Sequence, residues 1–199
     1  ILASLVLLPG CWSKFELTER GFVMGVALDQ GDHDTIRMTT QIYRPRPSKG
    51  DTSSSTGQSN LNIETTGKTI MDAIRDIPIH LGRKAQYSHM RVIVIGEKLA
   101  RSADFVKLLD LFYRDHEPRS TVSVMIAKGE ASAMLQIKPL IEQTTGQQLL
   151  RINEFSQRMS SKATNTSMLD IMLQLKGPHP DATISYVYPD KASAGLFSA

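Results

Sequence analysis

The sequence predicts an α+β (mixed α/β) domain, a mixed β-sheet that opens with an N-terminal hairpin and is covered by amphipathic helices. Three observations lead there. Two strand-like segments, 22–29 and 36–43, flank a turn rich in Gly and Asp. From about residue 60 onward, short apolar runs alternate with segments of helical period. Hydrophobic residues make up 41% of the 199 and charged residues 22%, the balance of a chain that can bury a core.

Residues 12–20, Trp12 to Arg20, read as a short polar helical lead-in. Phe22 to Asp29 is a strand containing Gly25, and Gln30 to Asp34 is the turn. Ile36 to Tyr43 alternates apolar and polar residues, the pattern of a half-buried strand. Arg44-Pro45-Arg46-Pro47 stops it, because proline cannot donate to a ladder. Residues 48–60, rich in Ser, Thr and Gly, are expected to form a mobile surface loop before a strand at Leu61 to Glu64. Ile70, Ala73, Ile74, Ile77 and Leu81 share one face of a helix over 69–81, which Pro78 should end or kink.

Met90 to Gly96 carries four consecutive apolar residues and is the expected central strand. Phe105, Leu108, Leu109 and Phe112 mark a helix over 104–114, and Thr121 to Ala127 is a further strand. Glu130 to Leu135 is a short helix, stopped near Pro139. Gly146 to Ser160 reads as helical through Leu149, Leu150 and Phe155. Ser167 to Leu175 is a helix with a Ser-x-x-Asp start at Ser167 and Asp170. Gly177-Pro178-His179-Pro180 breaks it, and Ala182 to Tyr188 is the last strand.

Cys11 is the single cysteine, so no internal disulfide can form. It follows the apolar run Ile1 to Leu8, then Pro9 and Gly10. That run falls short of the roughly 20 residues that span a bilayer. It fits the end of a signal-peptide h-region, and Leu8-Pro9-Gly10-Cys11 resembles a bacterial lipobox, whose cysteine accepts a diacylglyceryl group. Residues 1–10 are therefore expected to be a signal-peptide remnant. Residues 11–190 then form the domain, and 191–199 lead into a further domain beyond a truncated end.

The residues offer little chemistry. Gly67-Lys68-Thr69 at a helix start suggests a phosphate loop, but Asn62 stands where that motif needs its first glycine, so a plain turn is the better reading. His33, His80, His89, His116 and His179 do not pair at metal-ligand spacing, and no Gly-x-Ser-x-Gly elbow occurs. Met168 and Met172 lie four apart, as core residues do. No metal, cofactor or catalytic residue is expected, and the chain is not read as an enzyme. A net charge of +3 and 6% aromatics, not interleaved with basic residues, argue against nucleic acid. Ser88 and His89 precede the strongest strand, and Arg114 and Asp115 close the second amphipathic helix. Each pair has a plain structural reading, respectively a hydrogen-bonding turn and a helix C-terminal cation with its capping neighbour.

Several segments together resemble one family, the C-subunit lipoproteins of spore germinant receptors (Ger(x)C). They are Gly10-Cys11-Trp12, Glu16-Leu17, Gly25-Val26-Ala27-Leu28-Asp29 and Gly67-x-Thr69-Ile70-x-x-Ala73. The most specific is Ser88-His89-x-Arg91-Val92-Ile93-Val94-Ile95-Gly96-Glu97-x-Leu99-Ala100, followed by Phe112-Tyr113-Arg114-Asp115 and Ala127-Lys128-Gly129. Ser13 departs from the family's acidic residue, and the loop at 48–60 is longer than usual.

The resemblance implies a lipoprotein subunit on the outer face of the inner spore membrane. It would be held by lipid at Cys11 and would dock with the receptor's integral membrane subunits A and B. Ser88, His89, Arg114 and Asp115 are its candidate partner-contact residues. An exported solute-binding lipoprotein is the alternative.

Overall fold

The computed structural model describes residues 19–44, 59–115, 117–161, 163–189 and 196–198. Its strands are β1 (Arg20–Gln30), β2 (Ile36–Tyr43), β3 (Asn60–Gly67), β4 (Lys84–Gln86), β5 (Val92–Gly96), β6 (Ser123–Ala127), β7 (Ser185–Pro189) and β8 (Leu196–Ser198). Its helices are α1 (Ile70–Leu81), α2 (Glu97–Ser102), α3 (Phe105–Arg114), α4 (Ala131–Gln136), α5 (Thr145–Ser160) and α6 (Met168–Leu175). They form a mixed sheet in the order β3-β2-β1-β5-β6-β7-β8, with β4 paired to the start of β1. This is the α+β architecture expected.

The hairpin forms as expected, with β1 and β2 antiparallel from Gln30↔Ile36 to Val23↔Ile42. Its turn closes through Gly31 N donating to Thr35 O at 2.8 Å. A bulge between Val23 and Gly25 lets Val23 and Val26, three residues apart, enter the same core cluster. β1 then pairs in parallel with β5, β5 with β6, and β6 with β7. β5 is thus the middle strand, and all five of its residues are buried. A strand buried on both faces reads as a continuous apolar run, which is what Val92 to Ile95 is.

The two faces are closed by different helices. Ile93 and Ile95 join Val26, Leu28 and Val124 against α1, α3 and α6, through Ile77, Leu109, Phe112 and Met168. Val92 and Val94 join Ala27 and Met125 against α4 and α5, through Met134, Leu135 and Leu149. Helices 69–81 and 104–114 do cover the central strand, but only from one side. Met168 and Met172 are core residues.

The capping signals hold. Thr69 and Asp72 form a capping box on α1, and Ser167 and Asp170 form one on α6. Gly67 packs against the first turn of α1, where a Cβ would come within 2.7 Å of Ala73 N. Its Gly-Lys-Thr segment is therefore a helix entry.

Some expectations fail for physical reasons. α1 runs through Pro78 to Leu81 and ends at Gly82, whose φ is 65° and whose N–H bonds Pro78 O at 2.8 Å. Pro78 is exposed, so the carbonyl its ring leaves unpaired is on the solvent side. Phe155, read as part of the apolar face of its helix, is 59% exposed on α5. Arg20 already belongs to β1, and β3 starts at Asn60. Residues 12–18 of the lead-in, loop residues 48–58 and the lipobox with Cys11 lie outside the described residues.

Two predictions follow from the core. Ile93→Asp places an unpaired charge at the sheet's centre and should cost on the order of 4 kcal/mol or more in denaturant unfolding; an unchanged midpoint would move β5 to an edge. Tyr87 packs near Phe112, and its hydroxyl is buried with no hydrogen-bond partner among the described residues. Burial first, then the charges of Glu117 and Asp115, raise its pKa well above the ordinary tyrosine value. The folded chain keeps this proton while the unfolded chain releases it near its ordinary pKa, so stability falls as pH rises past about 10. Tyr87→Phe should leave neutral-pH stability equal or higher and flatten that alkaline loss; a variant that is less stable at pH 7 and equally alkali-sensitive would contradict this.

Candidate functional site

A cleft of about 750 Å³ opens where β1 and β5 begin. Phe22 and Met24 of β1, Tyr43 at the end of β2, and His89 and Arg91 leading into β5 form one wall. The segment 141–144 with Gln147 and Arg151 of α5 forms the other. The His89 ring stands edge-on to Phe22, with centroids 5.0 Å apart. Ser88 Oγ lies 3.0 Å from His89 Nδ1, in hydrogen-bond contact.

Arg91 is anchored by its backbone. Its N–H bonds Met24 O at 2.9 Å, and its carbonyl accepts Ser123 N–H at 3.1 Å. Its Nε is buried and, among the described residues, makes no hydrogen bond. Across the cleft Arg151 pairs with Glu154 at 2.9 Å and with Glu142 at 3.9 Å.

The 137–144 segment that rims the cleft is braced. The Gln148 side-chain carbonyl accepts the N–H groups of Ile141 at 3.2 Å and Glu142 at 3.3 Å. Thr145 Oγ1 donates to Ile137 O at 2.7 Å, and Thr144 caps α5 by accepting Gln147 N–H.

The candidate pairs from the sequence meet at one corner, through neighbours. The Glu117 carboxylate accepts Tyr87 N–H at 3.4 Å and pairs with Lys84 Nζ at 3.1 Å. Asp115 Oδ1 accepts Glu117 N–H at 3.1 Å. The Tyr87–His89 turn and the end of α3 are thereby tied together. Their side chains diverge, however. His89 turns into the cleft, whereas Arg114 folds back along α3 onto Asp110 at 2.8 Å, a hydrogen bond that raises its pKa. Arg114 stands in the last turn of α3 and Asp115 is its C-cap, the plain structural reading for both. Cys11 lies outside the described residues.

A buried polar network went unread in the sequence. Asp29 ends β1's buried stretch and accepts Ala131 N–H at 2.6 Å and Ser132 N–H at 2.8 Å. Gln41 accepts Gly146 N–H at 2.8 Å and donates to Leu135 O at 3.1 Å, which Asn62 also reaches at 3.0 Å. The available signals were a carboxylate closing the run Val26-Ala27-Leu28-Asp29 and a helix start, Glu130, that makes no capping bond of its own.

The shifted ionisations elsewhere belong to surface hydrogen bonds and ion pairs. Glu97 is lowered by the Tyr186 hydroxyl at 2.5 Å and then by Arg101, and Arg37 is raised by its bond to Glu130. Among the described residues no group of three or more His, Cys, Asp or Glu could hold a metal ion. No described helix is long and apolar enough to cross a membrane.

Comparison with known proteins sets this geometry in a family. Residues 13–188 match the family model described as "Spore germination protein N-terminal domain". Spore germination protein B3 of Bacillus subtilis (strain 168) is 31% identical over 128 residues, covering 64% of this chain and 33% of that protein. Spore germination protein KC of the same organism is 24% identical over 179 residues, covering 88% of this chain and 44% of that one. Spore germination protein A3, also from that organism, is 30% identical over 126 residues, covering 62% and 33%. The chain thus spans less than half the length of these curated relatives. No solved structure matches it. All of the ordered segments that suggested the Ger(x)C family, except Gly10-Cys11-Trp12, lie within the match over residues 13–188, and the chain belongs to that family of spore germination proteins.

Proposed function

We propose that this chain is the lipid-anchored subunit of a nutrient germinant receptor. It is held at the outer face of the inner spore membrane by acyl groups on Cys11 and assembles with the receptor's integral membrane subunits A and B. The observation that carries the proposal is a juxtaposition. The family match begins at Ser13, two residues after a lipobox-like Leu8-Pro9-Gly10-Cys11.

The physical chemistry supports an anchor at that place. One acyl chain gives marginal membrane binding, whereas a diacylglyceryl group brings two and stable retention. Eight residues lie between Cys11 and Arg20, where β1 starts, so the two are at most about 30 Å apart when that stretch is extended. The folded domain would stay close to the bilayer surface and influence the membrane subunits through protein contacts. Its contribution is binding and assembly, not catalysis. Ser88, His89, Arg114 and Asp115 would support the contact surface from the corner that Glu117 ties together.

The proposal is tested in spores lacking the native subunit, supplied with the full-length protein and its complete signal peptide. The parent should be labelled by a fatty-acid analogue and co-purify with the two membrane subunits, and Cys11→Ala should lose the label and most of its membrane retention. Undiminished labelling of Cys11→Ala, or a parent that co-purifies with neither subunit, would contradict it.

A further inference from the structure

We infer that Leu140 and Ile141, at the rim of the cleft, form a membrane-contact site that enters an anionic lipid surface and sets lipid phosphates against Arg91 and Arg151. The inference deepens the proposed function and takes only the orientation of the domain from it.

Two adjacent large aliphatic side chains stand out at this place. Leu140 is 64% exposed and Ile141 is 89% exposed. Scattered surface apolar residues need no explanation, but these are held out by a braced segment. Gln148 fixes the backbone of Ile141 and Glu142, and Thr145 fixes Ile137. A tip that is already rigid loses little conformational freedom when it inserts.

The surrounding charge suits an anionic surface. Lys138 is exposed two residues before Leu140. Behind the tip, Arg91 and Arg151 line the cleft, and the buried Arg91 Nε lacks a hydrogen-bond partner among the described residues. The acids on this side are Glu142, at 3.9 Å, and Glu154, at 2.9 Å, both paired with Arg151. With Lys138, three cations stand against these two carboxylates, and the whole chain carries +3. An apolar tip flanked by cations is the pattern of an interfacial lipid contact. An Arg guanidinium can pair bidentately with phosphate oxygens.

The tether agrees in direction. Phe22 and Met24, from the start of β1, line this same cleft. The chain reaching back to Cys11 therefore leaves the domain at the end that carries the tip. A lipid at Cys11 and the Ile141 tip would meet one surface together.

The test omits acylation, so its outcome is independent of the anchor. The 199-residue chain carrying Cys11→Ser is sedimented with vesicles of phosphatidylcholine alone and with vesicles containing about one-third phosphatidylglycerol. Ile141→Glu, Arg91→Gln and Arg151→Gln are compared with it, and circular dichroism melts confirm that each is folded. All forms share the same N-terminal apolar run, so differences report the tip and the cleft. The parent should partition onto the anionic vesicles, Ile141→Glu should lose at least about fivefold, and each arginine variant should lose about fivefold on anionic vesicles only. Ile141→Glu partitioning like the parent, or a parent that binds neither vesicle, overturns the inference; the second result would leave the tip as a contact for protein.

Discussion

The carboxylate of Asp29, 3% exposed at the end of β1, receives the first two backbone N–H groups of α4 at 2.6 and 2.8 Å. A helix start leaves such donors unsatisfied and carries partial positive charge, so a buried carboxylate there is both paired and stabilised. Glu130, at the N-cap, makes no capping bond, and a strand residue supplies the cap from across the fold. The fit leaves no spare room, because a Cβ on Gly96 would lie 2.2 Å from Asp29 Oδ1. A hydrogen bond to a charged group contributes about 1.5–3 kcal/mol.

The rest of that face follows from this contact. β5 must be covered on both sides, and the side under α1, α3 and α6 has a large apolar cluster to hold it. The α4–α5 side has a smaller one, and polar bonds fix its position at both ends. Asp29 holds the start of α4, while Gln41 and Asn62 hold the end of α4 and the start of α5. Gly146 lets α5 lie flat on β1, since a Cβ there would meet Met24 O at 2.7 Å. The segment between the two helices is the rim of the cleft. What presents Ile141 to the outside is therefore a helix pair clamped to the sheet by three polar side chains.

Much of this fold was legible because the local signals were strong. The unbroken Val92-Ile93-Val94-Ile95 run announced a strand covered twice, and the 3-4 spacing of apolar residues announced α1 and α3. The capping pairs Thr69/Asp72 and Ser167/Asp170 lie three residues apart and need no tertiary partner. β4 and α2 were missed because three and six residues, with only Ala85 and Leu99 buried, carry no period to count. The network of Asp29 and Gln41 was hidden by distance, since their partners on α4 and α5 lie more than 90 residues away in sequence.

The site was legible in a similar proportion. Ser88, His89 and Arg91 belong to the most specific family-like segment, and His89 and Arg91 do line the cleft. Arg114 and Asp115 turned out to be occupied at a helix end. Ile141 gave no sign, because an apolar residue in a loop acquires meaning only when the fold leaves it uncovered.

Polar bonds, Asp29 first among them, hold the α4–α5 face on a sheet whose other face is secured by apolar packing. Native-state hydrogen exchange on Asp29→Asn tests it most directly, since the variant keeps the shape but loses the charge and one acceptor. Amides of α4 and of the first turn of α5 should exchange at least about tenfold faster, the factor that corresponds to about 1.4 kcal/mol, while β5 and α1 keep their protection. Unchanged exchange in α4 and α5, or an acceleration spread evenly over β5 and α1 as well, would contradict it.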